Sequence, residues 1–255
     1  MSGSSGDPRG RFTDRAANYA RYRPGYPAEV LDLLAAECGL RPAAIVADIG
    51  AGTGIFTRLL LERGARVLAV EPNAAMLAIA KADLGGSAAF SDVSGDASAT
   101  GLPDASVDLV TAAQSFHWFE AEAARVEFLR ISKRPARVAI VWNERLLSTP
   151  FLVAYEALVR KYSPDYERVD LRNVDEDAIA RFFGGAPMRR DFPNRQVFDL
   201  DGLRGRHLSS SFIPDRGPSL EPMMRELDDL FREHAVGGTV AFEYRARVHY
   251  GTLTT

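Results

Sequence analysis

The residues best placed to do chemistry form a glycine-rich turn that follows an apolar segment. Residues 46–54 read Val-Ala-Asp-Ile-Gly-Ala-Gly-Thr-Gly, and Glu71 closes the next apolar run, Arg66–Val70. Alternate glycines reach backbone angles that other residues avoid, and they let a ligand approach the main chain closely. A carboxylate after the following strand can accept hydrogen bonds from both hydroxyls of a ribose. The spacing therefore predicts a strand, a turn, a helix and a second strand that together bind a nucleoside.

The spacing of the glycines excludes two common nucleotide-binding loops. The dinucleotide fingerprint Gly-x-Gly-x-x-Gly would place its third glycine on Ile55 or on Thr57, depending on the register. A phosphate-binding P-loop fails as well, because no Gly-Lys-Ser/Thr follows the turn. What remains is Asp-x-Gly-x-Gly-x-Gly with an acidic residue at the end of the next strand. This pattern resembles the first two cofactor motifs of class I S-adenosylmethionine-dependent methyltransferases.

Further motifs between residues 12 and 142 indicate which group of these methyltransferases the chain resembles. They are Phe12, Ala17, Tyr19, Tyr22-Arg23-Pro24, Tyr26-Pro27, Glu71-Pro72-Asn73, Met76-Leu77, Gly95-Asp96-Ala97, Leu102-Pro103, Ser106-Val107-Asp108-Leu109-Val110 and Gln114-Ser115-Phe116-His117-Trp118-Phe119. In this order they are similar to the small-molecule group called methyltransferase type 11, which includes trans-aconitate-methyltransferase-like enzymes. One departure is the segment Ile131-Ser132-Lys133-Arg134-Pro135-Ala136, where the family usually has Leu-Lys-Pro-Gly-Gly.

The resemblance implies a role for each residue that matches a motif. The methionine part of S-adenosyl-L-methionine would lie against the glycine turn, where Asp48 holds the loop or receives the ammonium group. Glu71 would hold the ribose, and Asp96 would accept from the adenine amino group or, alternatively, only form a turn. Tyr19 and Arg23 would fold over the cofactor, or only fasten the N-terminal segment to the body. The implied cofactor-binding set is Tyr19, Arg23, Asp48, Gly50, Ala51, Gly52, Gly54, Glu71, Pro72, Asn73, Met76, Asp96, Ala97 and Gln114.

A histidine between aromatic neighbours predicts the acceptor side of the site. The imidazole of His117 has an ordinary pKa near 6.5, so it could serve as a general base, or it could bond a backbone carbonyl beneath the site floor. Methyl transfer from a sulfonium can proceed by alignment and desolvation, so a base is not required. The expected substrate-binding residues are Tyr22, His117, Trp118, Phe119, Trp142 and Asn143.

Strands that alternate with helices indicate an α/β fold with a parallel sheet. The predicted strands are Ile45–Ile49, Val67–Val70, Ala88–Ser91, Val107–Ala112, Val138–Trp142, Val197–Leu200 and Val240–Val248. Together with the resemblance they imply a Rossmann-like seven-stranded mixed sheet, the class I methyltransferase fold, with an α-helical cover formed by helices in Ser148–Phe183 and Leu203–His234. The expected organisation is a disordered or tag-like stretch at 1–11, an N-terminal helical cap at 12–43, a cofactor-binding core at 44–143, and helical insertions with the last strands at 144–255.

The composition narrows the functional classes. The 255 residues include 46% hydrophobic residues, enough for a large core, and a net charge of −3 that gives no reason to expect nucleic acid as the main partner. The single cysteine and four scattered histidines indicate neither a disulfide framework nor a metal site. No apolar run approaches the ~18–20 residues of a membrane span.

We therefore expect a cytoplasmic, bacterial S-adenosylmethionine-dependent methyltransferase that acts on a small organic molecule as a monomer or homodimer. The alternatives are the same fold acting on RNA or protein, and a non-catalytic cofactor-binding protein.

Overall fold

The computed structural model describes residues 16–163, 166, 176–210, 212–214 and 217–254, and a seven-stranded mixed sheet forms their centre. The strands are β1 (Ile45–Ile49), β2 (Arg66–Val70), β3 (Phe90–Val93), β4 (Leu109–Ala113), β5 (Arg137–Arg145), β6 (Met188–Phe198) and β7 (Val240–Thr252). Their spatial order is β3-β2-β1-β4-β5-β7-β6. The first five strands are parallel, and β7 runs antiparallel between β5 and β6. The predicted fold class is confirmed.

Helices follow most of the strands. In the described part of the chain they are α1 (Ala16–Tyr22), α2 (Ala28–Glu37), α3 (Ile55–Glu62), α4 (Ala74–Leu84), α5 (Ala121–Ile131), α6 (Pro150–Tyr162), α7 (Glu176–Phe183), α8 (Leu200–Leu208) and α9 (Leu220–His234), with a 3-10 turn at Phe116–Trp118. Pro24 and Pro27 lie between α1 and α2, as expected from residues that cannot continue a helix. The predicted stretch 1–11 and the motif residue Phe12 lie outside the described residues.

The core lies on both faces of the sheet. The central strand β1 is almost entirely buried, as is typical of a parallel strand that is covered on both sides. One face packs against α5 and α7, and the other packs against α2 and α3. A third apolar cluster joins α6, α8 and α9 to the first residues of β7.

Several elements differ from the sequence predictions. Strand β3 lies at Phe90–Val93 instead of Ala88–Ser91, β4 begins at Leu109 instead of Val107, and β7 continues past Val248 to Thr252. Strand β6 begins at Met188 and ends at Phe198, so Leu200 is not part of a strand but begins α8. Strand β5 continues to Arg145, past the predicted end at Trp142 and the domain boundary drawn after residue 143, because it pairs with β7 as far as Tyr244. Helix α7 packs in the core beside α5, and so it is not part of a helical cover.

Candidate active site

The glycine-rich turn has the backbone geometry that its sequence predicts. Gly50, Gly52 and Gly54 have φ angles of 69°, 59° and 84°, in the left-handed region that favours glycine. A Cβ on Gly50 would lie 2.5 Å from the Cβ of Ser115, so the turn also approaches the end of β4 too closely for a side chain. The Ser115 hydroxyl donates to the carbonyl of Ile49 at 2.7 Å. These contacts hold the turn against the carboxyl end of the sheet.

The carboxylate of Glu71 connects the turn to the end of β2. One oxygen accepts a hydrogen bond from the Gly52 amide at 2.9 Å, and the other accepts from the Asn73 amide at 2.8 Å. Burial raises the pKa of Glu71 above its ordinary value, while the two amide donors oppose that rise. Each carboxylate oxygen can accept more than one hydrogen bond, so the group can still receive ribose hydroxyls.

Asp48 is a second buried carboxyl group beneath the turn. Its oxygens accept from the hydroxyls of Thr57 at 2.7 Å and Thr111 at 2.9 Å. Burial raises the pKa of Asp48 to about 6, although both hydroxyl donors lower it. The residue therefore holds α3 and β4 together below the loop, which is one of the two roles predicted for it.

A cavity of about 480 Å³ lies above the turn. Small-molecule sites typically enclose about 300–1,000 Å³. Twelve of the predicted cofactor residues line it, namely Tyr19, Arg23, Asp48, Gly50, Ala51, Gly52, Glu71, Pro72, Met76, Asp96, Ala97 and Gln114. The predicted acceptor residues Trp118 and Phe119 line it as well. The sequence pattern therefore identified most of the wall from five separate parts of the chain.

Two predicted cofactor residues are absent from this wall. Gly54 is the N-cap residue of α3, and a Cβ there would lie 2.8 Å from Leu84 and 3.2 Å from Ala80, so this glycine allows the start of α3 to pack closely against α4. The Asn73 side chain caps α4 by accepting from the amides of Ala75 and Met76. A helix cap explains the asparagine after β2 without any ligand.

Three of the predicted substrate residues have structural roles instead. The Tyr22 ring covers Gly205 of α8, where a Cβ would lie 2.3 Å from the ring. Trp142 is 2% exposed and packs in the core beside Phe116, because alternation along β5 points it toward the α7 face. Asn143 donates from its side chain to the carbonyl of Gly25 at 3.0 Å, so it holds the N-terminal segment.

His117 lies beside the cavity without forming part of its wall. Its ring is tilted against Trp118, 4.8 Å between centroids, and the residue keeps an exposed surface. Desolvation and the positive charge of Arg23 lower the pKa of this imidazole below its ordinary value. The ring is therefore neutral at pH 7, but nothing in the cavity geometry supports a role as general base.

The loop residue Asp96 is used locally. Its Oδ1 accepts from the amides of Ser98 and Ala99 at 2.9 and 3.1 Å, and also from the Ser98 hydroxyl. This is the turn-forming role that was the alternative to adenine recognition. Because Asp96 and Ala97 both line the cavity, adenine contact stays a prediction for them.

Gln114 closes β4 in a conformation that is rare for a residue with a side chain. Its φ is 60°, and its side-chain amide continues the sheet pairing by accepting from the Asn143 amide at 2.8 Å. Strained backbone of this kind persists only where the surroundings enforce it, and it is frequent at functional sites. The strain turns the chain so that the 3-10 turn brings Trp118 to the cavity.

Sequence reasoning missed the remaining residues of the wall, which are Pro24, Tyr26, Thr53, Ile55, Phe56, Ser98, Ala113, Ser115 and Glu120. Tyr26 packs edge-on against Phe56 with the ring centroids 4.9 Å apart. The Tyr26-Pro27 motif was the only sequence feature that could have indicated Tyr26 as a residue of the cavity wall. Phe56 has the spacing of an ordinary core residue on α3, and so nothing in the sequence marked it.

Neither a metal-binding cluster nor a membrane-spanning helix is found within the described ranges. No group of three or more His, Cys, Asp or Glu side chains is arranged to hold a metal ion there. The helices placed in those ranges are also too short or too polar to cross a bilayer.

Comparisons with known proteins agree with this geometry. Residues 47–140 match the family described as methyltransferase domain. An uncharacterised methyltransferase of Schizosaccharomyces pombe is 32% identical over 230 residues, 87% of each chain. A second methyltransferase-like protein of that yeast is 33% identical over 158 residues, but the match covers only 59% of its length. An uncharacterised methyltransferase of Mycobacterium tuberculosis is 39% identical over 134 residues, 52% of each chain.

Solved structures show the same fold. A protein from Anaeromyxobacter dehalogenans, provisionally described as a type II methyltransferase, superposes with a TM-score of 0.66 at 22% identity and covers 91% of this chain and 98% of its own. A SAM-dependent methyltransferase from Aquifex aeolicus superposes with a TM-score of 0.51 at 17% identity, covering 92% and 98%. The chain therefore belongs to the methyltransferase domain family and has the class I methyltransferase fold.

Proposed function

We propose that this methyltransferase uses S-adenosyl-L-methionine to methylate a small organic molecule. The observation that carries the proposal is one cavity whose wall combines two chemically different sets of residues. They are the glycine turn with Glu71, and aromatic side chains, Trp118 and Phe119 among them. A donor with a ribose and an acceptor held beside it require both sets.

The glycine turn and Glu71 fit the cofactor. Gly50 and Gly52 expose main chain in the left-handed conformation that disfavours side chains, and Glu71 offers a buried carboxylate to the ribose hydroxyls. Met76 lies beside Gly52 and can pack against the adenine. When bound, the cofactor supplies a methyl group on a positively charged sulfur. This chain's own contribution is to hold the nucleoside and to exclude water.

The aromatic residues of the wall support orientation and desolvation rather than acid–base chemistry. They are Tyr26, Phe56, Trp118 and Phe119. Such walls exclude water and fix the acceptor, which suffices when the reacting methyl group is already activated. His117 is not among the residues that line the wall.

The N-terminal segment supports a small acceptor. Tyr19, Arg23, Pro24 and Tyr26 line the cavity and so limit the space that is left for an acceptor. The chain also carries a net negative charge, which disfavours nucleic acid. One relative from Methylococcus capsulatus, 36% identical over 178 residues and 64% of its length, is named malonyl-[acyl-carrier protein] O-methyltransferase. Its name supports including oxygen acceptors in any substrate screen.

A labelled methyl-transfer screen tests the proposal. The protein is incubated with S-adenosylmethionine that carries an isotopic label in the methyl group, together with panels of small carboxylic acids, amines and phenols. We expect label in at least one small molecule. Parallel reactions with total RNA and with a protein extract are the contrasting arms. Label only in a macromolecule would contradict the small-molecule proposal, and label in none of the arms would contradict methyl transfer.

A further inference from the structure

Glu127 of helix α5 lies outside the cavity wall but is hydrogen-bonded to one of the loops that form it. This loop connects β3 to β4, and its residues Asp96, Ala97 and Ser98 line the cavity. Glu127 is 7% exposed, and one of its oxygens accepts from both the amide and the hydroxyl of Thr100, at 2.8 and 2.6 Å. These contacts join a loop of the cavity wall to a helix of the core.

Arg130, one turn later on α5, holds the carboxylate in place. Its guanidinium donates to both oxygens of Glu127, at 2.8 and 2.7 Å. Arg130 also donates to the carbonyl of Leu102 at 2.8 Å and to Asp104 at 2.6 Å. Hydrogen bonds from Arg130, and then from Thr100, outweigh burial and lower the pKa of Glu127 to about 2. The carboxylate is therefore ionised at neutral pH and has a fixed orientation, because a charged Arg–carboxylate pair of this kind is strong and directional.

Thr100 connects this anchor to the cavity wall. It is fully buried, and its carbonyl oxygen would lie 2.7 Å from a Cβ on Gly95, so the two ends of the loop segment are in close contact. Between them, Asp96 and Ala99 are joined by two main-chain hydrogen bonds of 3.2 Å each. The wall residues 96–98 therefore belong to a closed turn whose base lies against Thr100.

The loop has few other side chains that could fix its position. Residues 94–101 read Ser-Gly-Asp-Ala-Ser-Ala-Thr-Gly, which are small or turn-forming residues. Within this segment, Ala97 and Thr100 are the two buried positions. A methyl group buries little apolar area, so the placement of the turn depends mainly on the hydrogen bonds at Thr100.

We propose that Glu127 positions residues 96–98 for recognition of the nucleobase of the cofactor, acting through Thr100. The proposal rests on the proposed function and adds to it a residue that does not touch the ligand. Hydrogen bonds to a base edge depend steeply on distance and angle, so a displaced turn would weaken the predicted contact of Asp96 with the adenine amino group. Glu127 is a positioning residue, since it lies outside the cavity wall.

Calorimetric titration with two ligands that differ only in the base tests the proposal. They are S-adenosylhomocysteine and S-inosylhomocysteine, in which hypoxanthine replaces adenine and a carbonyl replaces the amino group. We expect the wild-type protein to bind S-adenosylhomocysteine at least about tenfold more tightly, because Asp96 cannot accept a hydrogen bond from a carbonyl. Equal binding of the two ligands would overturn the proposal.

Two substitutions at Glu127 separate the anchoring of Thr100 from the ion pair with Arg130. Both remove the negative charge, but Glu127→Gln keeps an oxygen that can accept from Thr100, whereas Glu127→Leu does not. We expect Glu127→Leu to bind S-adenosylhomocysteine at least about tenfold more weakly and to lose most of the preference for adenine. Glu127→Gln should stay close to the wild type in both respects. Equal losses in the two variants, or an unchanged base preference in Glu127→Leu, would overturn the proposal.

A second pair of variants does not depend on how Glu127→Leu folds. Thr100→Val keeps the shape of the side chain but removes its hydroxyl, so it should weaken S-adenosylhomocysteine binding about fivefold and speed hydrogen exchange at the amides of Ser98 and Ala99. Asp104→Ala removes an exposed partner of the same Arg130 and should change neither quantity. Wild-type binding and exchange in Thr100→Val, or equal effects in the two variants, would overturn the role of the anchor.

The outcomes distinguish this proposal from the proposed function. Failure of the wild-type protein to bind S-adenosylhomocysteine would contradict the proposed function itself. Normal binding, with a base preference that survives both Glu127→Leu and Thr100→Val, would contradict only the role of Glu127. A merely structural role of Glu127 would lower the melting temperature without changing the preference for adenine.

Discussion

At the scale of single residues, the buried carboxyl group of Asp48 couples the stability of the fold to pH. Its pKa rises from 3.8 to about 6, because burial outweighs the hydrogen bonds from Thr57 and Thr111. Because the pKa is higher in the folded state, protonation of Asp48 stabilises the fold. This stabilisation is fully present below pH 3.8 and is lost as the pH rises through 6. At neutral pH the ionised, buried carboxylate therefore lowers the stability of the fold. A cationic ligand would interact favourably with this carboxylate.

The variant Asp48→Asn should show the cost directly. The free energy of unfolding of the wild type should fall by about 1–2 kcal/mol relative to the variant between pH 5 and pH 8, since one unit of pKa shift corresponds to about 1.4 kcal/mol. Urea denaturation at the two pH values measures this difference. A constant difference between the two proteins would show that Asp48 is not buried as a strained carboxylate.

At the scale of elements, the junction of β1 and β4 depends on the absence of a side chain at Gly50. The turn after β1 reaches the end of β4 at Ser115, and a Cβ on Gly50 would lie 2.5 Å from the Ser115 Cβ. The turn and the 3-10 segment after β4 can therefore form one continuous cavity floor. The glycine is required by packing between elements as well as by its own φ of 69°.

Gly50→Ala should destabilise the protein by about 2–5 kcal/mol, through a left-handed alanine of about 1–2 kcal/mol and overpacking of about 1–3 kcal/mol. Gly237→Ala is the matched control, because Gly237 has a φ of 59° and open space around it. Gly237→Ala should lower the free energy of unfolding by only about 1–2 kcal/mol, the contribution of the left-handed alanine.

A double-mutant cycle isolates the contact between the two elements. Adding Ser115→Gly to Gly50→Ala should recover about 1–3 kcal/mol of the loss, because it removes the colliding atoms. The measurement is thermal or urea unfolding of the four proteins in the cycle. Additive effects would show that the two elements do not meet as described.

At the scale of elements, some strands and helices could be predicted from the sequence more accurately than others. Strands β1, β2 and β4 contain short apolar runs, and α5 has apolar residues at helical spacing, so these elements can be located from the local sequence pattern. The edge strand β6 was predicted too short, because its first residues are exposed and charged and carry no apolar alternation. Its extent is set by pairing with β7, which local sequence does not encode.

The predicted site residues that do not line the cavity were misassigned for a related reason. Motif residues from the turn, Glu71 and Trp118 line the cavity because they lie at the carboxyl ends of strands, which all meet at one edge of the sheet. Trp142 and Asn143 occupy the same edge but serve the core and the N-terminal segment. Which neighbour a strand-end side chain contacts depends on tertiary packing, and the sequence pattern does not determine it.

At the scale of the whole molecule, two asparagines join the N-terminal segment to strands β5 and β6. Asn143 of β5 and Asn194 of β6 both donate to the carbonyl of Gly25, at 3.0 and 2.8 Å, and Asn194 also donates to Asn143. Gln196 of β6 donates to the carbonyl of Tyr22 at 3.2 Å. The N-terminal wall of the cavity is thereby fastened to the far edge of the sheet.

Asn194→Ala should loosen this wall with little effect on the rest of the fold. Hydrogen exchange at the amides of residues 19–26 should become faster, and the unfolding free energy should fall by only about 1 kcal/mol, the worth of a typical hydrogen bond. Arg195→Ala, at the neighbouring exposed position, is the control and should change neither quantity. Unchanged exchange in Asn194→Ala would contradict the fastening role.

The measurement that tests the central claim most directly is calorimetric titration of the folded protein with S-adenosylhomocysteine. We expect binding at one site per chain, weakened by about 1–3 kcal/mol in Glu71→Ala, because a buried hydrogen-bonding carboxylate is lost. Asp83→Ala, an exposed position on α4, should bind as the wild type does. A well-folded wild-type protein that does not bind S-adenosylhomocysteine would contradict the account.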